Sequence, residues 1–126
     1  MAGRVVHFEV PFDDGDRARS FYARAFDWQI VEMPEMGYTM VTTGPSGDTG
    51  PTESAFINGG MLSRTDAATR GPVLAVDVDS IDATLSRIGE LGGATVVGRT
   101  PVGDMGFAAY FTDPEGNVMG LWETAA

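Results

Sequence analysis

Hydrophobic and polar positions follow the same order twice along this chain. Val5-Val6-His7-Phe8-Glu9-Val10 is a β-branched run of strand character. Asp13 or Asp14 can cap the helix that follows, because a carboxylate satisfies the free amides of a first turn. Phe21, Tyr22, Ala25 and Phe26 recur at helical spacing and predict its apolar stripe. Trp28 to Met33 reads as a strand stopped by Pro34, and Tyr38 to Thr43 as another. The Gly/Pro-rich stretch from Thr43 to Thr52 reads as a loop, and Phe56 to Ser63 as a fourth strand, bulged or weakened at Gly59-Gly60.

The second half begins again with Val73-Leu74-Ala75-Val76-Asp77-Val78 and the cap Asp79-Ser80. Ile81, Leu85 and Ile88 mark a helix that Leu91 extends and Gly92 stops. Val96-Val97 and Phe107 to Thr112 predict two strands. Asp113-Pro114-Glu115-Gly116-Asn117 predicts a tight turn, since proline presets one position and glycine supplies positive φ. Val118 to Glu123 completes the pattern. The chain is thus two β-α-β-β-β modules, residues 4–64 and 72–123 of a single 1–126 domain, an α+β protein with a site expected where the modules meet.

Composition narrows the function classes. One domain of 126 residues, 43% hydrophobic and 21% charged, is ordinary for a globular protein. No apolar run approaches the roughly 20 residues that span a bilayer. Met1 to Arg4 lead directly into the first strand without a leader pattern, so a cytoplasmic protein is expected. The absence of cysteine excludes disulfides, thiolate catalysis and Cys-ligated zinc. A net charge of −10 argues against nucleic acid, whose phosphates need a basic face, and suits a cationic ligand or simple solubility.

His7 followed by Phe21-Tyr22, Val78-Asp79 leading to Gly92-Gly93, and above all Asp113-Pro114-Glu115-Gly116-Asn117 resemble the vicinal oxygen chelate superfamily. That superfamily includes glyoxalase I, extradiol dioxygenases, fosfomycin-modifying enzymes and bleomycin-binding resistance proteins. The resemblance covers essentially the whole chain. It implies two βαβββ modules forming a cupped mixed sheet, the glyoxalase/bleomycin-resistance fold, usually completed in a homodimer. Metal-dependent members hold a divalent ion with His or Glu from the first and last strand of each module. By that resemblance the positions here are His7, fourteen residues before Phe21; Val73, nineteen before Gly92; Gly120 after the final turn; and Gly59 or Gly60, with Gly60 preferred. One imidazole alone does not hold a catalytic metal, which takes about three protein ligands. No metal and no cofactor is therefore expected.

Strand alternation gives the lining of the expected cup. Val5, His7 and Glu9 share one face of the first strand, against Val6, Phe8 and Val10 on the helix side. The same argument assigns Val73, Ala75 and Asp77, then Val118, Gly120 and Trp122. A turn pairing Asp113 with Asn117 sets Tyr110 opposite Gly120. Asn58 and Leu62 join Gly60, while the parity of Tyr38 and Met40 is open. The candidate ligand-binding residues are accordingly His7, Glu9, Tyr38, Met40, Asn58, Gly60, Val73, Ala75, Tyr110, Gly120 and Trp122. Glycine at two former ligand positions is expected to make room for a flat or bulky molecule.

Three functions compete. The first is metal-independent sequestration of a hydrophobic or aromatic small molecule, an antibiotic among the candidates, by a cytoplasmic homodimer that binds neither nucleic acid nor membrane. The second is a lyase, isomerase or dioxygenase with a metal site displaced to Glu9, Asp77 or Glu123, or with a His7/Glu9 acid–base pair. The third is a domain acting through its dimer surface, its cup filled by its own side chains. His7 has a structural reading too, as an imidazole bonded to Glu9 or to a backbone carbonyl. Trp122 has one at a dimer interface, and Asp113 and Glu115 read as turn chemistry.

Overall fold

The computed structural model describes residues 3–126. The chain divides into two compact units, one spanning His7–Pro72 and the other Val73–Ala126 with the N-terminal residues through Val6.

The first unit contains β1 (Val5–Phe12, from His7 onward), α1 (Gly15–Phe26), β2 (Gln29–Met33), a single 3₁₀ turn (Pro34–Met36), β3 (Tyr38–Thr42), the two-residue strands β4 (Ser46–Gly47) and β5 (Gly50–Pro51), and β6 (Asn58–Ser63). Its main strands lie in the order β2-β3-β6-β1. β6 runs parallel to β1, pairing His7 with Asn58 and Glu9 with Gly60, and antiparallel to β3, pairing Met40 with Gly60. Partners across a ladder share a face. His7, Glu9, Asn58, Gly60, Tyr38 and Met40 therefore lie on one side of this sheet, which settles the parity of the last two. The other side carries Phe8, Gly59, Met61, Thr39 and Val41, with Met61, Thr39 and Val41 almost wholly buried.

Asp14 begins α1 by accepting the Arg17 amide at 3.0 Å, and Asp27 ends it in the left-handed region at φ 57°. Tyr22 turns toward the sheet and stacks on Trp28, which meets Phe8. The expected apolar stripe is only partly a core: Phe21 and Phe26 are 59% and 57% exposed. Phe21 is rotated about 100° from Tyr22, and Phe26 sits in the last turn. The fourth strand starts at Asn58 and not at Phe56, and the expected loop contains the small β4–β5 hairpin, which pairs Ser46 with Pro51.

The second unit repeats the plan with β7 (Val73–Asp77), α2 (Ile81–Glu90), β8 (Ala94–Val102), β9 (Gly106–Thr112) and β10 (Val118–Thr124), in the order β7-β10-β9-β8. β10 is parallel to β7 and antiparallel to β9, as β6 is to β1 and β3. The core is Ile81, Ala109 and Leu121, with Val76, Leu85, Ile88, Phe107 and Phe111 packed against it. Ser80 caps α2 by accepting the Ala83 amide at 3.1 Å. Glu123, on the helix side as alternation requires, accepts the Ile81 amide at 2.8 Å. Asp113 closes the final turn by accepting the Glu115 and Asn117 amides, both at 2.9 Å, with Gly116 at φ 84°.

Candidate functional site

The helix-free face of the first unit carries a polar chain of three side chains. β1 presents His7 and Glu9 two residues apart on that face, and β3 brings Tyr38 across β6 to reach both. The Tyr38 hydroxyl lies 2.8 Å from His7 Nε2 and donates to Glu9 Oε2 at 3.0 Å. All three residues are half-buried. Burial pushes the His7 pKa below its usual 6.5, and the Glu9 charge opposes this without overcoming it. His7 is thus bonded to a phenol rather than directly to Glu9 or a carbonyl.

Gly60 is what seats that phenol. A Cβ at this position would overlap the Tyr38 ring and hydroxyl. The glycine expected to open a cavity is instead covered by Tyr38, because the long side chain of β3 leans over the β6 position on this face that has no side chain. Met40 lies beside Gly60 in the ladder. Asn58 is turned aside: its Nδ2 donates to Ser46 Oγ at 2.8 Å and its Oδ1 accepts the Thr43 amide at 2.9 Å. It pins the ends of the β3–β6 loop, a role its strand position did not reveal.

The corresponding face of the second unit is mostly apolar, with Asp77 and the Tyr110 hydroxyl its polar groups. Gly120 pairs with Ala75 on one side and Tyr110 on the other. A Cβ on Gly120 would approach Ala75 Cβ to 3.3 Å and Val73 Cγ1 to 3.5 Å, so this glycine leaves little room of its own. Trp122 shares the face, but its indole folds along the strand. Its Nε1 donates to Thr124 Oγ1 at 3.1 Å, and its ring lies where a Cβ on Gly106 would be 2.7 Å from Cζ2. Asp77 accepts the Arg4 amide at 3.0 Å. Among the candidates, His7, Glu9, Tyr38, Met40 and Gly60 come together in the first unit, and Val73, Ala75, Tyr110 and Gly120 in the second.

These residues do not suit a divalent ion. Gly60, Val73 and Gly120 offer no donor atom, and His7 Nε2 is engaged by Tyr38. Among the described residues no three His, Cys, Asp or Glu side chains converge to hold a metal. Glu123, a possible displaced ligand, is committed to Ile81 and to Arg99, which it accepts at 3.0 Å.

One feature was not legible beforehand. On the α1 side of the first unit, an open hollow is bordered by Phe12, Phe21, Arg17 and Arg64. Arg17 and Phe21 stand at helical i, i+4 spacing, the signal that could have disclosed it. Arg64 there is paired to Asp13 at 3.0 Å. The hollow is shallow and brings no polar chain together, so the helix-free face carries the stronger chemistry. No helix among the described residues is long and apolar enough to cross a membrane.

Known proteins resemble this arrangement at two levels. Residues 4–44 match the family described as bleomycin resistance protein-like N-terminal. CFP32 of Mycobacterium bovis, whose name proposes a glyoxylase, is 25% identical over 122 residues, covering 87% of this chain. The chain spans only 41% of that relative's length. Among solved structures, methylmalonyl-CoA epimerase from Mycobacterium tuberculosis superposes with a TM-score of 0.66 at 18% identity, covering 98% of this chain and 89% of that one. A Streptomyces coelicolor methylmalonyl-CoA epimerase with bound 2-nitronate-propionyl-CoA gives 0.67 at 17% identity, covering 100% of both chains. At such identities the shared property is the fold.

Proposed function

We propose that this chain, which resembles the vicinal oxygen chelate superfamily in sequence and fold, is a metal-independent small-molecule-binding protein, a cytoplasmic homodimer that sequesters a hydrophobic or aromatic natural product. One observation carries this reading: the Tyr38 phenol lies over Gly60 and bridges His7 and Glu9. The phenol covers one position that the resemblance assigns to a metal ligand, Gly60, and ties up the imidazole at another, His7. The match of residues 4–44 to a bleomycin resistance-like family supports an antibiotic as the ligand and resistance as the role. The ligand contacts are assigned to the helix-free faces, with His7, Glu9, Tyr38 and Met40 in the first unit and Ala75, Tyr110, Gly120 and Trp122 in the second.

The test is to titrate metal-stripped protein with a panel of aromatic natural-product antibiotics. Fluorescence of Trp28 and Trp122 reports binding, and mass spectrometry reports the fate of each compound. Saturable binding with every compound recovered intact is the expected result. Binding that appears only with stoichiometric metal overturns the reading.

The same polar chain favours one other reading, acid–base catalysis by His7 and Glu9 through the Tyr38 hydroxyl. It requires conversion of a compound without added metal and loss of that conversion in Tyr38→Phe.

A further inference from the structure

The outer side of α1 departs from what a solvated helix needs for its own stability. Phe21 stands in its middle and is 59% exposed, leaving most of a phenyl ring in water. Arg17 stands in its first turn, where the helix macrodipole opposes a cation. Arg24, in the last turn, completes a stripe with them at i, i+4 and i+7. Both arginines are exposed.

The positive charge of this stripe is not neutralised within the fold. Among the described residues neither guanidinium has an ion pair or a hydrogen bond, whereas Arg19, Arg64 and Arg99 each hold a carboxylate. The acids around the start of α1 are engaged: Asp13 with Arg64, Asp14 with the Arg17 amide and Asp16 with the Arg19 side chain, each at 3.0 Å. Asp27 follows Arg24 in sequence and makes no ion pair with it. A chain of net charge −10 thus displays two uncompensated guanidiniums beside one bare phenyl ring.

The shape suits a partner surface. Arg17 and Phe21 border two adjoining hollows, one reaching Phe12 and Ala18, the other Ser20 and Arg24. Both lie open along the helix, whereas small-molecule sites enclose most of their ligand. Arginine and aromatic side chains concentrate binding energy at protein interfaces, and arginine grips carboxylates in a two-pronged fork.

We propose that the Arg17–Phe21–Arg24 face of α1 is a docking surface for an acidic amphipathic helix of a partner protein. Charge complementarity selects an acidic occupant, and the two-turn repeat of a helix matches the separation of the arginines, roughly 10 Å along α1. Two carboxylates of the partner meet Arg17 and Arg24, and an apolar side chain between them packs on Phe21. This face lies on the opposite side of the first-unit sheet from His7, Tyr38 and Glu9, so it stands whether or not that face binds a ligand.

The probe is a fluorescein-labelled synthetic helical peptide with two glutamates about two turns apart and a leucine between them. One matched peptide carries lysine in place of both glutamates, and another carries alanine in place of the leucine. By fluorescence anisotropy the first peptide should bind about tenfold or more tighter than either control, with affinity falling as salt is raised. This comparison uses the unaltered protein and depends on no variant folding. Arg17→Glu combined with Arg24→Glu should reverse the preference, making the lysine peptide the tighter ligand. Phe21→Ala should weaken the glutamate peptide about tenfold. Arg87→Glu, at an exposed arginine of α2, should leave binding unaltered.

Equal binding of the glutamate and lysine peptides, binding of neither, or an equal loss in Arg87→Glu overturns the proposal. Binding to phosphatidylglycerol vesicles without binding to the peptide also overturns it and gives the face to a membrane. Self-association in sedimentation that is lost only in the Arg17→Glu, Arg24→Glu variant, again without peptide binding, overturns it in favour of a second copy of this chain.

Discussion

The phenol of Tyr38 occupies the space that any side chain at Gly60 would need. The two residues lie on different strands, β3 and β6, and the absence of a Cβ on one is the condition for the position of the other. Gly60→Ala should therefore displace Tyr38 and destabilise the protein by about 1–3 kcal/mol, the usual cost of overpacking. Adding Tyr38→Ala should recover part of that loss. Urea denaturation of both single variants and the double variant measures the coupling, expected at about 1 kcal/mol or more. Strict additivity would mean that the two positions do not compete for space.

His7 makes stability depend on pH. Its folded pKa lies below the usual 6.5, chiefly through burial. Between the folded value and 6.5 the unfolded chain binds the proton more readily, so falling pH favours unfolding in that window. The stabilisation is fully present above 6.5 and is lost as pH drops through the folded pKa. Melting temperatures taken from about pH 8 down to about pH 5 should fall at the acid end, and His7→Gln should flatten the part of the curve just below 6.5. An unchanged slope in that variant would assign the acid sensitivity to the carboxylates.

Glu123 joins three elements of the second unit. It accepts the Ile81 amide at the start of α2 and the Arg99 guanidinium from β8, which also lies 3.5 Å over the Phe107 ring. Arg99 first, and then the Ile81 amide, hold its pKa below the ordinary value. Glu123→Gln should lower the melting temperature at neutral pH and speed hydrogen exchange at the Ile81 amide. Because the depressed pKa stabilises only the ionised form, the gap between wild type and variant should close as the medium is made acid. Protection of Ile81 that is equal in both proteins would remove Glu123 from the helix cap.

Gly106 stands to Trp122 much as Gly60 stands to Tyr38. A Cβ there would meet the Glu123 carbonyl and the indole, with Cζ2 at 2.7 Å. Gly106→Ala should cost about 1–3 kcal/mol and shift the tryptophan emission to the red as the indole is displaced toward water. An unaltered spectrum in a folded variant would place the indole elsewhere.

Some of the site was readable from the residues because its causes are local or periodic. Alternation put His7 and Glu9 on one face of β1, and the five-residue turn from Asp113 to Asn117 sets the ladder that pairs Tyr110 with Gly120. Parity likewise sent Glu123 to the helix side, where it meets Ile81. The parity of Tyr38 and Met40 could not be read, because the register of β3 on β6 is set across the long connection that Asn58 ties down through Thr43 and Ser46. A glycine in a sequence looks the same whether it opens a cavity or seats a neighbour.

The repeated β-α-β-β-β order, the caps at Asp14 and Ser80, the closing turn and the faces of the strands follow from the chain itself, since each depends on residues a few positions apart. Tertiary structure alone decided that Tyr38 covers Gly60, that His7 meets a phenol 31 positions away, and that Glu123 holds an amide 42 positions before it. Those contacts depend on the lean of long side chains across strands, and only the packing of residues distant in sequence sets that direction.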